Sequence, residues 1–110
     1  MAGRATAALA GEEQLLLSDL VLAECVYVLE SFYELERARV ATLMRSAIAL
    51  ASIEVLDASL LLRALEVYEL HRIDFAEAYL VASAESTGVG RVLSFDRMID
   101  RLQSVSRIEP

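Results

Sequence analysis

An α/β fold with a largely parallel sheet is what this sequence predicts, and three observations carry the expectation. Segments with helical periodicity alternate along the chain with short, continuous apolar runs of strand type. Two of those runs, "QLLLS" and "RVLSF", are apolar at successive positions, as strands covered on both faces are, rather than alternating in and out. The only proline is Pro110, and there is no repeat, low-complexity stretch or linker to break the alternation. With 110 residues, 56% of them hydrophobic, the chain suffices for one core and is short for two, so residues 1–110 are read as a single domain.

The elements follow in order. "RATAALA", residues 4–10, reads as a short helix stopped by Gly11, and "QLLLS" as a buried strand. Ser18 suits the N-cap of the next helix, "DLVLAECVYVLESFY", which places Glu24 on an early turn near the C-terminal end of that strand. "ERARVATLMRSAIALA" alternates charged and apolar faces at helical period and reads as an outer helix. "IEVL" has strand character. Asp57 can cap "ASLLLRALEVYELH", and Asp74 can cap "FAEAYLVASAEST", which Gly88 stops. "RVLSF" is then a second buried strand, "DRMIDRL" a short helix and "SRIE" a closing edge strand.

Composition removes several classes of function. Ten arginines against 17 acidic residues give a net charge of −7, which excludes a domain that grips nucleic acid through bulk positive potential. Any nucleic-acid contact must be local, and the last 20 residues, with Arg91, Arg97, Arg101 and Arg107, are the least acidic part. Asp19 and Glu24 interrupt the longest apolar run well short of the roughly 20 residues of a membrane span. The N-terminus has no apolar core of a signal peptide, so the cytoplasm is the expected compartment and no membrane partner is expected. Cys25, the single cysteine, sits in an apolar helical stretch and reads as a small hydrophobe. One histidine, His71, at the end of a helix, and one cysteine leave no arrangement for nucleophilic catalysis.

Carboxylates remain. Asp74 with Glu77 and Asp96 with Asp100 form close pairs, and in open α/β sheets the crevice at the carboxyl ends of the strands is the ligand site. Glu24, Asp74, Glu77 and Asp96 all map to that end. Acids gathered there repel unless a cation joins them, and hard oxygen donors suit Mg²⁺ or Mn²⁺. Such a centre favours phosphodiester hydrolysis. Asp57, Asp74 and Asp96 equally suit the first turns of helices, where capping and the helix dipole favour a carboxylate with no metal at all. Both readings stand on spacing alone.

"LLLSDLVLAECVYVLES", "IDFAEAYLVASAESTG" and "RVLSFDRMIDRL", in this order and at these separations, resemble the PIN-domain ribonucleases, and among them the VapC-type toxins of toxin–antitoxin pairs. The resemblance covers nearly the whole chain. It implies a three-layer α/β/α domain with a small, largely parallel sheet, in which Glu24 matches the second family acid, Glu77 the third and Asp96 the fourth. Ser94 matches the small hydroxyl residue before the fourth acid. Asp74 is implied as a further metal ligand one turn before Glu77, and Asp100 as a supporting residue. Glu77 departs from the usual aspartate by one methylene. A larger departure is that the family's first strand, central in its sheet and ending in Asp-Thr-Asn, has no counterpart here, so the chain reads as a PIN-like domain lacking that strand.

The resemblance therefore implies a Mg²⁺- or Mn²⁺-dependent endoribonuclease, weakened by the missing first acid, with RNA as substrate, a cognate antitoxin as partner and a homodimer as assembly. The alternative is an inactive truncated relative that serves as a protein-binding or dimerisation module. Either way, "QLLLS" and "RVLSF" are expected to pair with each other across the gap or with another chain, because both are too apolar for free edges.

Overall fold

Capping chemistry sets most of the helix starts. The computed structural model describes residues 13–110, and the helix expected over residues 4–10 lies outside them. A first short strand, β1 (Leu15–Leu16), leads into α1 (Asp19–Ser31), whose N-cap Ser18 accepts a hydrogen bond from the Val21 N–H at 3.2 Å. Then come α2 (Arg37–Ile48), β2 (Ile53–Glu54) and α3 (Ala58–His71), the last capped by Asp57, which accepts from the Leu60 N–H at 3.1 Å. The helix α4 (Phe75–Thr87) ends at Gly88, whose φ of 77° is the left-handed conformation that glycine adopts without cost. A strand β3 (Arg91–Leu93), a 3₁₀ turn (Arg97–Arg101) and β4 (Ser106–Ile108) complete the chain. Asp74 holds the N-cap position of α4 as expected, but its side chain makes no capping hydrogen bond.

The pairing is parallel throughout. β1 runs beside β2 with Leu15 opposite Ile53, and the N–H groups of Leu15 and Leu17 donate to Ser52 and Glu54 at 2.8 Å. β3 runs beside β4 with Val92 opposite Arg107, extended by the Ser94 N–H to the Ile108 carbonyl at 3.1 Å. Each strand thus pairs with the next in sequence, reached by a crossover: two helices between β1 and β2, the 3₁₀ turn between β3 and β4. The fold is α/β with small parallel sheets, as the sequence predicts.

The expected closure between "QLLLS" and "RVLSF" does not occur. Among the described residues there are two separate two-stranded sheets, and β1 and β3 do not pair. Each is bonded to its crossover partner on one side only. Nor is "RVLSF" a buried strand: Val92 and Ser94 are covered, while Leu93 is 66% and Phe95 71% exposed, and Leu16 of β1 is likewise 66% exposed. The apolar character of those runs is real, but its second face is not covered within the described chain.

Helix packing instead dominates the core. Leu61, Ala64, Leu65 and Tyr68 of α3 meet Ala78, Val81 and Ala82 of α4, and the alanines let the two backbones approach closely. Val40, Ala41 and Met44 of α2 and Leu22 and Val26 of α1 complete the cluster. Arg37 fastens the C-terminal end of α3, donating to the carbonyls of Tyr68 at 2.9 Å and Ile73 at 2.7 Å while its guanidinium lies 4.3 Å from the Tyr68 ring centroid. Tyr68 is fully buried, and its hydroxyl donates to Glu30; burial first, then that carboxylate, push the phenol above its ordinary range. Among the described residues no helix is long and apolar enough to cross a membrane.

Candidate functional site

Ser94, immediately after β3, is where two of the predicted acids, Glu77 and Asp96, meet. Its hydroxyl is buried and donates to Glu77 Oε2 at 2.8 Å, while its oxygen accepts the Asp96 N–H at 2.9 Å. Glu77 stands in the first turn of α4, where the helix dipole favours a negative charge. Asp96 caps the 3₁₀ turn, its Oδ1 accepting from the Met98 N–H at 2.9 Å. One hydroxyl therefore joins the first turn of α4 to the start of the 3₁₀ turn. Both carboxylates are committed through one oxygen, and Glu77 Oε1 and Asp96 Oδ2 have no hydrogen-bond partner among the described residues.

A second tie holds Ser94 from behind. Arg107 of β4 donates through Nη1 to the Ser94 carbonyl at 3.0 Å and through Nε and Nη2 to the two Asp100 oxygens at 3.0 and 3.1 Å. This bidentate pair holds the Asp100 carboxyl below its ordinary range. Asp100 thus serves Arg107, and Arg107 serves Ser94. The sequence reading placed Asp100 beside the site and missed Arg107, whose contribution depends on the parallel register that sets Arg107 opposite Val92, two residues from Ser94. A short strand ending a chain carries no signal for that register.

The remaining acids are placed more loosely. Asp74 is exposed at the start of α4, three residues before Glu77, and borders a groove with Tyr27, Glu30 and Phe75. Glu24 lies on the exposed face of α1, beside a shallow hollow formed with Leu20, Ala23, Tyr27 and Val28. No hydrogen bond joins it to Glu77 or Asp96. Its neighbour Cys25 is half-buried, and burial first, then the Glu24 charge, push the thiol up, which suits packing rather than nucleophilic chemistry.

Among the described residues no three of His, Cys, Asp and Glu stand together closely enough to hold a metal ion. What is present is a pair of carboxylates, each with one uncommitted oxygen, linked through a buried hydroxyl. That donor set fits Mg²⁺ or Mn²⁺, which take one or two carboxylates and fill their remaining positions with water.

Comparison with known proteins addresses the whole chain. No curated protein and no solved structure gave a match. The family model described as the PIN domain matches residues 2–105. With that match and the parallel α/β architecture around Glu77, Ser94 and Asp96, the chain belongs to the PIN domain family, whose members are in general nucleases.

Proposed function

We propose that this protein is a divalent-metal-dependent endoribonuclease of the VapC type, with Glu77 and Asp96 holding the metal through their uncommitted oxygens. PIN-domain nucleases act on RNA and generally depend on a divalent metal. The observation that carries the reading is the hydrogen-bonded path from Glu77 through Ser94 to Asp96, which fixes two acids from different elements against each other. Glu24 and Asp74 are proposed as the further acids of the same centre.

The bound ion would lower the pKa of a coordinated water and stabilise charge developing at phosphorus. The chain's own groups do the rest. Ser94 fixes the rotamer of Glu77 and the backbone of Asp96, so that neither must be ordered when metal and substrate arrive. Arg107 and Asp100 keep Ser94 in register with β4. The extra methylene of Glu77 relative to the aspartate usual in the family is taken up by reaching back to the Ser94 hydroxyl.

The reading includes a strand, ending in Asp-Thr-Asn, that lies between β1 and β3 and supplies the first acid. Its support is the one-sided pairing of both strands among the described residues and the exposure of Leu16 and Leu93. Residues 1–110 by themselves should then cleave RNA weakly. A protein extended upstream by such a strand should cleave strongly with Mg²⁺ or Mn²⁺, and Asp96→Asn should abolish the gain, since an amide is a neutral, weaker ligand of nearly the same shape. An extended protein that is folded yet inert with either metal, or active after Asp96→Asn, sinks the nuclease reading.

A second reading draws on a specific observation, the absence of a three-acid cluster among the described residues. In it the protein is an inactive relative whose open strand edges and exposed residues Leu20 and Tyr27 of α1 and Phe32 at its C-cap serve a protein partner, an antitoxin or a second copy of the chain. Light scattering coupled to size-exclusion chromatography checks the second copy, which requires a mass near twice the 12.1 kDa of the chain.

A further inference from the structure

The backbone around the candidate acids closes into a ring. From the end of α3 it runs His71, Arg72, Ile73, Asp74 and on to Glu77; the Ser94 hydroxyl carries it across to Asp96 and Arg97; and Arg101 returns it to the start by donating through Nη2 to the His71 carbonyl at 2.7 Å. Ile73 and Ile99, within the segments it joins, are buried. Along this path exposed arginines flank the carboxylates: Arg72 before Asp74, Arg97 after Asp96, and Arg101 at the closure.

None of these arginines is tied to a carboxylate among the described residues. Among the described residues the ion pairs are made by Arg45, Arg63 and Arg107, and none by Arg72, Arg97 or Arg101. Asp100, the carboxylate that Arg97 feels, is already taken by both arms of Arg107. Arg39 and Arg91 are likewise exposed and outside those ion pairs; what sets Arg72, Arg97 and Arg101 apart is that the hydrogen bonds of Ser94 and Arg101 join the segments that carry them to those of Glu77 and Asp96. Arg101 is also pre-positioned: its Nε and Nη2 point at the carbonyls of Met98 and His71, leaving Nη1 free on the rim.

We propose that Arg72, Arg97 and Arg101 form a backbone-phosphate subsite for single-stranded RNA flanking the carboxylates. The chemistry requires such a device. A phosphodiester approaching Glu77 and Asp96 in a protein of net charge −7 is repelled, and fixed cations on either side offset that repulsion without neutralising the acids themselves. Arginine suits the role because its planar fork meets two phosphate oxygens at once. This order sets a cation on either side of the acids along the path, so a bound strand is held by the phosphates next to the one at the carboxylates. The proposal rests on the nuclease reading for its ligand, and it is tested without hydrolysis.

The test is fluorescence anisotropy of a labelled single-stranded RNA oligonucleotide with the full chain in EDTA. The variants are Arg72→Gln/Arg97→Gln, which breaks no hydrogen bond within the protein, and Arg39→Gln on the exposed side of α2 as a control of equal charge per site. The double variant should bind about tenfold more weakly at low salt, and its log–log salt slope should fall by about 1.4, two contacts at roughly 0.7 each for a single strand. Arg39→Gln should leave the slope unchanged. Absence of RNA binding by the wild type, an unchanged slope in the double variant, or an equal fall with Arg39→Gln overturns the proposal. So does displacement of the RNA by polyglutamate as readily as by unlabelled RNA, which would assign the rim to an acidic protein. Glu77→Gln and Asp96→Asn separate the two readings, because they should abolish metal-dependent cleavage by the extended protein while leaving RNA binding in EDTA intact.

Discussion

Ser94→Ala should destabilise this protein by about 2–3 kcal/mol, a large effect for the loss of one oxygen atom. The hydroxyl makes two hydrogen bonds from a site only 6% exposed. One is donated to a carboxylate, a class worth roughly 1.5–3 kcal/mol, and the half-exposure of Glu77 puts it at the lower end, since water can replace part of what is lost. The other accepts the Asp96 N–H at the start of the 3₁₀ turn, worth about 1 kcal/mol, and its removal leaves a backbone donor without a partner at a half-buried position. Urea unfolding followed by circular dichroism measures the sum through the midpoint at constant slope. Ser94→Thr keeps the hydroxyl and should recover most of the loss. In a double-mutant cycle with Glu77→Ala, the two sites should couple by about 1 kcal/mol or more. If Ser94→Ala lies within about 0.5 kcal/mol of the wild type, or the cycle shows no coupling, the hydroxyl does not join these two elements, and the argument that the acids are held in place fails with it.

Other perturbations test the frame. Tyr68→Ala removes a fully buried ring that touches Phe75 and lies under Arg37 and should cost about 3–5 kcal/mol, whereas Tyr68→Phe loses only the bond to Glu30 and should cost about 1 kcal/mol, both read from urea midpoints. Gly88→Ala meets no atom within 4 Å, so its expected cost of about 1 kcal/mol comes from backbone strain at φ 77° alone and should appear as a lowered melting temperature with unchanged helix content. Glu85 is held below its ordinary 4.5 chiefly by the hydrogen bonds from Arg63. Because the folded value is depressed, its contribution is complete above that ordinary value and is lost as the pH falls through the folded one. Arg63→Gln should therefore flatten the fall of stability with acid below about pH 4.5, and an unchanged acid limb would contradict the pairing.

The sequence by itself determined the order of the elements, because local chemistry decides them. Ser18 and Asp57 stop the chain in an extended conformation and offer an oxygen to the first helical N–H groups, and Gly88 ends α4 in a conformation that residues with a Cβ avoid. Each of those effects acts over a few residues and is legible from them. The proximity of Glu77 to Asp96 was also within reach, through a resemblance whose motifs span the helix and strand on which those acids stand. Tertiary structure decided what local chemistry leaves open. Apolar runs state that a strand has two faces to cover but not what covers them, so the pairing of β1 with β2 and β3 with β4, rather than β1 with β3, followed from crossover connections instead of hydrophobicity. Val26 of α1 turns inward while Leu20 and Tyr27 stay exposed, because a helix apolar nearly all round gives no preference until its neighbours choose a side. Arg107 reaches Ser94 and Asp100 only once β4 has taken its register, and Arg101 reaches His71 only once the 3₁₀ turn has packed against the end of α3. Those long-range contacts fix which side chains surround the acids, since an arginine and a backbone carbonyl thirteen or thirty positions apart meet through folding and not through sequence.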